Sequence, residues 1–162
     1  DINNKKLLAF VAEMDGRFGV KVTLASSAEQ VVRGADIILT SGPISEQRKP
    51  TIKPDWINPG TLLITIDYDS YITDECITTM DLVLTDDRAQ LKSARKNENK
   101  FLGVSHIDAD NAELIAHGKG RRRGNDQRIL AFNLGIALED LATAAEIYRR
   151  AVVKGAGVLL ET

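Results

Sequence analysis

The chain has 162 residues, of which 43% are hydrophobic and 27% charged, which suits one globular domain with its own core. A net charge of -2 without a broad basic field argues against nucleic acid, and no run of about 18 apolar residues could span a membrane. The single cysteine, Cys76, cannot form an internal disulfide, which fits a reducing compartment such as the cytoplasm.

The chain opens with a pattern that predicts a helix. Apolar residues recur there at helical spacing, Asn3 or Asn4 can cap the helix, and Gly16 is expected to end it. The next segment, Val20–Leu24, alternates like a short strand. A helix followed by a strand is therefore expected at the start.

A second helix and strand are predicted next. Ser26 and Glu29 have the spacing of a capping box, and the short helix that they open ends at Gly34. Residues 35–40 read as a buried strand, which residues 41–43 (Ser-Gly-Pro) break. The pattern is typical of a helix that crosses over between parallel strands.

The stretch from residue 61 to 75, TLLITIDYDSYITDE, organises the rest of the chain. Its first part is a short β-branched and apolar run after Pro59-Gly60, which favours a buried strand over a helix. The stretch then becomes acidic, with Asp67, Asp69, Asp74 and Glu75. Open α/β sheets build sites at the carboxyl ends of their strands. An ordinary solvated loop is the alternative.

Two further segments complete the predicted sheet. Residues 53–58 read as a turn or short helix, in which Trp56 covers the sheet rather than serving as a stacking platform. Residues 80–85 form another short strand, ending in Asp86-Asp87. Strands that alternate with helices over short connections predict a parallel sheet. Three of these strands end in small or acidic polar residues, and those ends would then meet at one edge.

The second half of the chain is predicted to be mainly helical. Residues 89–99 and 112–117 are helix-permissive, and residues 135–154 carry an apolar stripe with helical spacing. Between them, residues 118–126 (GKGRRRGND) form a basic loop that either holds a phosphate or carboxylate or is simply solvated. Residues 157–161 could add a terminal strand.

Three segments resemble the ornithine cyclodeaminase/mu-crystallin family: ADIILTSGP, the loop from Asp69 to Glu75, and FNLGIALEDLATAAEIYRRAVVKGAG. Their order and spacing, rather than any one of them, make the match persuasive. The resemblance implies an α/β, Rossmann-like three-layer sandwich with a mostly parallel sheet. Residues 1–162 would form part of a dinucleotide-binding domain, with its C-terminal helix but apparently without the first βαβ phosphate-loop unit.

The resemblance also implies the cofactor. Asp1 falls where family members carry the acid that binds the adenosine ribose hydroxyls, and a carboxylate there repels a 2′-phosphate. The cofactor is therefore expected to be NAD rather than NADP, unless Asp1 is merely a chain end. Because the phosphate loop is not in this sequence, we expect this chain alone to bind the cofactor weakly or not at all.

Asp69 matches the catalytic aspartate of the family. The resemblance implies that NAD removes a hydride from the carbon bearing the substrate amine, while this carboxylate moves protons. Glu75 matches an acid at the start of the following helix, where a capping role and a catalytic role stay open.

Other residues match binding positions of the family. Those expected at the cofactor are Gly42, Ile66, Asp67, Tyr68 and Asn133, and those expected at the substrate are Thr73 and Leu134. Gly42 and Asn133 stand where Thr and Ser are common, and Thr73 stands where ornithine-specific enzymes have Lys. This last departure puts ornithine in doubt.

The expected activity is that of an NAD-dependent, ornithine cyclodeaminase-like enzyme acting on an amino acid through an imine, as a homodimer. An imine reductase or amino-acid dehydrogenase of the same family is the first alternative, and a mu-crystallin-like small-ligand binding protein is the second. His106 and His117 have no partner at metal-ligand spacing, so no metal is expected. Cys76 is read as a core residue.

Overall fold

The structure is a computed structural model, and it describes residues 3–44, 47–158 and 160. The chain divides into two compact units, residues 1–31 and residues 32–162.

The first unit consists of helix α1 (Asn4–Phe18) and the start of helix α2 (Ala28–Val32). The side chain of Asn3 caps α1 by accepting the Lys6 N–H at 3.1 Å. The helix runs through Gly16, contrary to prediction, and ends at Gly19, whose φ of +61° closes the last turn.

Two predictions for this unit were wrong. Residues 20–24 form no strand, because they have no ladder partner among the described residues. The predicted capping box of Ser26 and Glu29 is shifted by one residue. Ser27 Oγ accepts the Gln30 N–H at 3.2 Å, and the Gln30 side chain accepts the Ser26 N–H at 2.9 Å.

The second unit contains the sheet and its helices. The strands are β1 (Ile37–Thr40), β2 (Leu62–Thr65), β3 (Leu82–Thr85), β4 (Ala109–Asp110) and β5 (Ile129–Phe132). The helices are α3 (Asp74–Thr78), α4 (Arg88–Glu98), α5 (Asn111–His117) and α6 (Ala137–Lys154), with a 3-10 turn at Pro54–Trp56.

All five strands are parallel, in the order β1-β2-β5-β3-β4. The predicted α/β class is thus confirmed. The central strand, β5, was missed, because its run of four apolar residues is flanked by Arg128 and Asn133 without a glycine or proline signal. The two-residue strand β4 was also missed, being too short to show a period.

Both faces of the sheet are packed against helices, which makes the unit three-layered. On one face a row of paired residues, Ile38, Leu63, Leu130 and Val83, contributes to the main core. Helices α3 and α4 and the buried Trp56 complete that core, so the predicted covering role of Trp56 is confirmed. On the other face, Leu114 of α5 packs on a smaller cluster around Leu84 and Ile129.

Helix α6 has no buried residue, and its apolar side chains, such as Leu141 and Val153, are largely exposed. After it, residues 157, 158 and 160 form no strand, and the rest of the predicted terminal strand lies outside the described residues. In the described part of the chain, no helix combines the length and hydropathy that crossing a membrane requires.

An ionic cluster fixes α5 beside α4. Glu113 forms a capping box with Asp110, and its carboxylate accepts from Arg88 Nη2 at 2.7 Å and from Lys119 Nζ at 2.6 Å. The hydrogen bonds from Lys119 and then from Arg88 lower the pKa of Glu113 from 4.5 to about 2.

Glu113→Gln should therefore destabilise the chain in a pH-dependent way. A lowered pKa in the folded state contributes stability above the unfolded value, near 4.5, and this contribution is lost as the pH falls towards 2. Urea unfolding should show a deficit for the variant at pH 7 that shrinks steadily below pH 4.5. Glu75→Gln, at an exposed residue, is the control. A deficit that is unchanged at pH 3 would contradict this assignment.

Candidate functional site

Four parallel strands end at the same edge of the sheet, three of them in threonine. In register, the last residues of these strands are Thr40, Thr65, Phe132 and Thr85. The connections that follow them carry the predicted site residues. Because the strands are parallel, the structure brings these connections together as the sequence suggested.

Asp67 fixes the end of β1 to the end of β2. It is 1% exposed, and its carboxylate accepts the Thr40 hydroxyl at 2.6 Å and the Gly42 N–H at 2.8 Å. Its side chain is therefore satisfied inside the protein. Asp67 is neither a solvated loop residue nor a carboxylate open to a ligand.

Asp69 is also enclosed, with 0% exposure. Its Oδ2 accepts the Phe101 N–H at 2.7 Å and lies 3.2 Å from Nε of Arg48, while Oδ1 has no hydrogen-bond partner in the described part of the chain. A buried carboxylate oxygen without a partner is costly unless a bound group completes it. The predicted catalytic role of Asp69 stays a prediction.

Arg48 holds the connection that contains Asp69. Besides its contact with the Asp69 carboxylate, it donates from Nε to the Asp69 carbonyl at 3.0 Å and from Nη2 to the Ile72 carbonyl at 2.7 Å. Its Nη1 contacts an Asp74 oxygen at 2.7 Å. One guanidinium, 18% exposed, thus fixes the residues from 69 to 74.

Asp86 repeats this arrangement at the end of β3. It is 6% exposed and accepts the Gly135 N–H at 2.6 Å, which ties the β5–α6 connection to β3. The Asp87 N–H also donates to it, at 2.9 Å. Three acids of this edge therefore act as acceptors for backbone groups of neighbouring segments.

The accessible side chains at the ends of β2 and β5 are uncharged and partly aromatic. Ile66 is 46% exposed, and Tyr68, Asn133 and Leu134 are half-buried. Tyr68 has a left-handed φ of +62°, and its ring centroid lies 5.3 Å from that of Phe101. Burial, followed by the charges of Glu98 and Asp86, raises the pKa of Tyr68, so its phenol stays protonated near neutral pH.

Several predicted residues have structural partners. Thr73 Oγ1 caps α3 by accepting the Cys76 N–H at 3.2 Å, while Glu75 is exposed in the first turn. Cys76 is fully buried, as predicted, and burial raises the pKa of its thiol to about 12. In the basic loop, Arg122 donates to the carbonyls of Gln127 and Gly60. The Thr73 hydroxyl and the Arg122 guanidinium thus form hydrogen bonds to the backbone of this chain.

Asp1, predicted to bind the ribose hydroxyls, lies outside the described residues. His106 is half exposed and contacts Ser105 and Asp108.

Sequence reasoning missed three residues that shape the site: Arg48, Tyr71 and Phe101. Arg48 and Phe101 lie in stretches without a periodic pattern, for which neither a helix nor a strand is predicted. Tyr71 lies within the recognised loop, but no spacing rule relates it to Gly42, which it covers. Of the acids, Asp86 was noted only as a strand end.

Comparison with known proteins identifies the relatives of this chain. The model of the ornithine cyclodeaminase/mu-crystallin family matches residues 1–155. Alanine dehydrogenase of Archaeoglobus fulgidus is 27% identical over 97% of the chain and 49% of its own length. Ketimine reductase mu-crystallin of Macropus fuliginosus is 24% identical over 78% of the chain and 39% of its own length.

Solved structures share the fold. The Thermococcus litoralis Δ1-pyrroline-2-carboxylate reductase in complex with NADH and L-proline has a TM-score of 0.80 at 24% identity. An archaeal alanine dehydrogenase dimer with bound NAD has a TM-score of 0.79 at 26% identity. Each match covers 99% of this chain and 51% of the other. The chain thus spans about half the length of these relatives.

Asp67→Asn should destabilise the chain by about 2–3 kcal/mol, because the amide can no longer accept from both Thr40 and Gly42 and brings a donor towards one of them. Urea unfolding at pH 7 measures the loss. Asp140→Asn, in the exposed first turn of α6, is the control and should stay within about 0.5 kcal/mol. Equal stability of the two variants would show that Asp67 holds no strand ends together.

Proposed function

The chain belongs to the ornithine cyclodeaminase/mu-crystallin family, and from that premise we propose that it forms about half of an NAD-linked oxidoreductase. The substrate class is an amino acid or the corresponding imine. Several relatives carry dehydrogenase or reductase names, among them the alanine dehydrogenase and a Staphylococcus aureus N-((2S)-2-amino-2-carboxyethyl)-L-glutamate dehydrogenase. These names favour net oxidation or reduction over cyclodeamination.

The observation that carries this proposal is that the side chains accessible at the ends of β2 and β5 are uncharged. The carboxylates of Asp67, Asp69 and Asp86 are buried and hydrogen-bonded, so the accessible groups beside them are apolar, phenolic or amide. Such a surface suits the uncharged amide and planar ring of a nicotinamide, whereas exposed acids would favour a metal ion or an amine.

The residues present fit the nicotinamide end of NAD better than its diphosphate. Ile66, Tyr68 and Leu134 offer apolar surface, and the Asn133 side chain can donate and accept hydrogen bonds. No described strand leads through a glycine-rich turn into a helix, which is the usual diphosphate site. We therefore place the diphosphate site in the rest of the longer protein.

When bound, NAD would accept or return a hydride at the substrate carbon that carries nitrogen. In this proposal, Asp69 holds or releases the accompanying proton at Oδ1, the oxygen that has no hydrogen-bond partner among the described residues. Because that atom is enclosed, a local opening has to expose it before Asp69 can contact a substrate.

Ornithine cyclodeamination is a more specific alternative with the same chemistry, in which the cofactor returns the hydride to the substrate in the same turnover. Thr73 gives it no support, because its hydroxyl caps α3 and carries no charge for a substrate. Ammonia release from L-ornithine with NAD, without net formation of NADH, would identify this reaction.

Titration of the full-length protein with NADH and NADPH tests the cofactor. Nicotinamide fluorescence should show tighter binding of NADH than of NADPH, while this chain alone should bind weakly or not at all because none of its described strands leads into a diphosphate site. Asp1→Ala should narrow the preference for NADH over NADPH, since an acid at residue 1 would repel the 2′-phosphate of NADPH. If neither nucleotide binds to the full-length protein, the proposed function is wrong.

Asp69→Asn in the full-length protein should lower turnover by about 100-fold or more, with NADH binding little changed. Assays would use L-alanine with NAD and Δ1-pyrroline-2-carboxylate with NADH. Arg48→Lys is the matched control, because it loosens the same connection but keeps the carboxylate. Equal losses of turnover in the two variants would mean that Asp69 acts only through structure.

A further inference from the structure

Tyr71 covers the backbone at the end of β1. A Cβ built on Gly42 would overlap the phenol ring, lying only 2.5 Å from its Cζ. Residue 42 therefore has no room for a side chain while the ring stays in place. The surface that a side chain at residue 42 would occupy belongs to Tyr71 instead.

Both partners of this contact are fixed. The Tyr71 hydroxyl donates to the Pro43 carbonyl at 3.2 Å, and the Tyr71 carbonyl accepts from Thr51 and Ile52 at 2.8 Å each. The Gly42 N–H is held by Asp67 at 2.8 Å. The hydroxyl thus holds the ring at the β1 end and the carbonyl holds the Tyr71 backbone, although Tyr71 is only half-buried.

The position of this ring selects the chemistry that it can contact. It lies at the carboxyl edge of the parallel sheet, and its hydroxyl is already engaged, so what remains is an aromatic face. Aromatic faces attract planar rings and cations and offer no partner to a phosphate. The nicotinamide ring, which is planar and positively charged when oxidised, belongs to that class.

We propose that Tyr71 is a cofactor-contacting residue, whose phenol ring replaces a side chain at residue 42 as the surface that receives the nicotinamide ring. This inference rests on the proposed function. The family resemblance predicts that residue 42 itself contacts the cofactor. In this proposal the contact is made instead by the side chain of Tyr71, which belongs to the β2–α3 connection.

The test measures binding of NADH and of ADP-ribose, which lacks the nicotinamide ring, to the full-length protein. Tyr71→Ala should weaken NADH binding about 3- to 10-fold, as expected for the loss of one aromatic contact, and leave ADP-ribose binding within about twofold. Tyr71→Phe keeps the ring and should bind NADH nearly as the parent does. Tyr148→Ala, which removes an exposed tyrosine of α6, is the matched control.

Tyr71→Leu provides the same comparison if the alanine variant fails to fold, since leucine keeps apolar bulk but no aromatic face. Equal NADH affinity in the parent and in both ring-deleted variants would overturn the inference while leaving the proposed function intact. An equal loss for ADP-ribose and NADH would also overturn it. Absence of NADH binding in the parent would instead overturn the proposed function together with this inference.

The packing step is tested separately in this chain by a double-mutant cycle. Gly42→Ala should lower the free energy of unfolding of this chain. The loss should be smaller in the Tyr71→Ala background, because the overlapping ring is gone. Equal costs in the two backgrounds would show that the ring does not occupy the space of residue 42, which would overturn the inference.

Discussion

Asp67, Asp69 and Asp86 each accept a backbone N–H from a segment far away in sequence. The donors are Gly42, Phe101 and Gly135, at separations of 25, 32 and 49 residues. A carboxylate in a low-dielectric environment forms strong bonds with such groups and is costly to leave unpaired. The three acids therefore fix the irregular connections at the strand ends, which hydrogen bonds of the sheet itself do not reach.

Fixing these connections also maintains unusual backbone conformations. Tyr68 and Phe101 are bulky residues with φ values of +62° and +56°, and their rings contact each other. Phe101 also packs edge-to-face on Phe132, with the ring centroids 5.1 Å apart. Such conformations are costly and persist where their surroundings determine them, which is common at functional sites. Here the Asp69 carboxylate and the aromatic packing supply that determination.

The sequence predicted the parallel sheet and the meeting of its polar strand ends, because period, turn residues and strand order are local signals. It did not predict β5, because that apolar run is bounded by Arg128 and Asn133 and no glycine or proline marks its ends. The sequence also did not predict the direction in which the carboxylates of the acids point. Whether Asp67 faces a ligand or the Gly42 N–H depends on contacts across strands, and the covering of Gly42 by Tyr71 depends on a side-chain rotation that no spacing rule encodes.

Amide hydrogen exchange in this chain tests the role of the three carboxylates most directly. The account predicts that the N–H groups of Gly42, Phe101 and Gly135 exchange almost as slowly as those of the strands β2 and β5, because each is held by a buried carboxylate. Exchange at the rate of exposed loop amides would contradict it. The edge would then be a set of mobile loops, and the surface proposed to receive the nicotinamide would lack a fixed base.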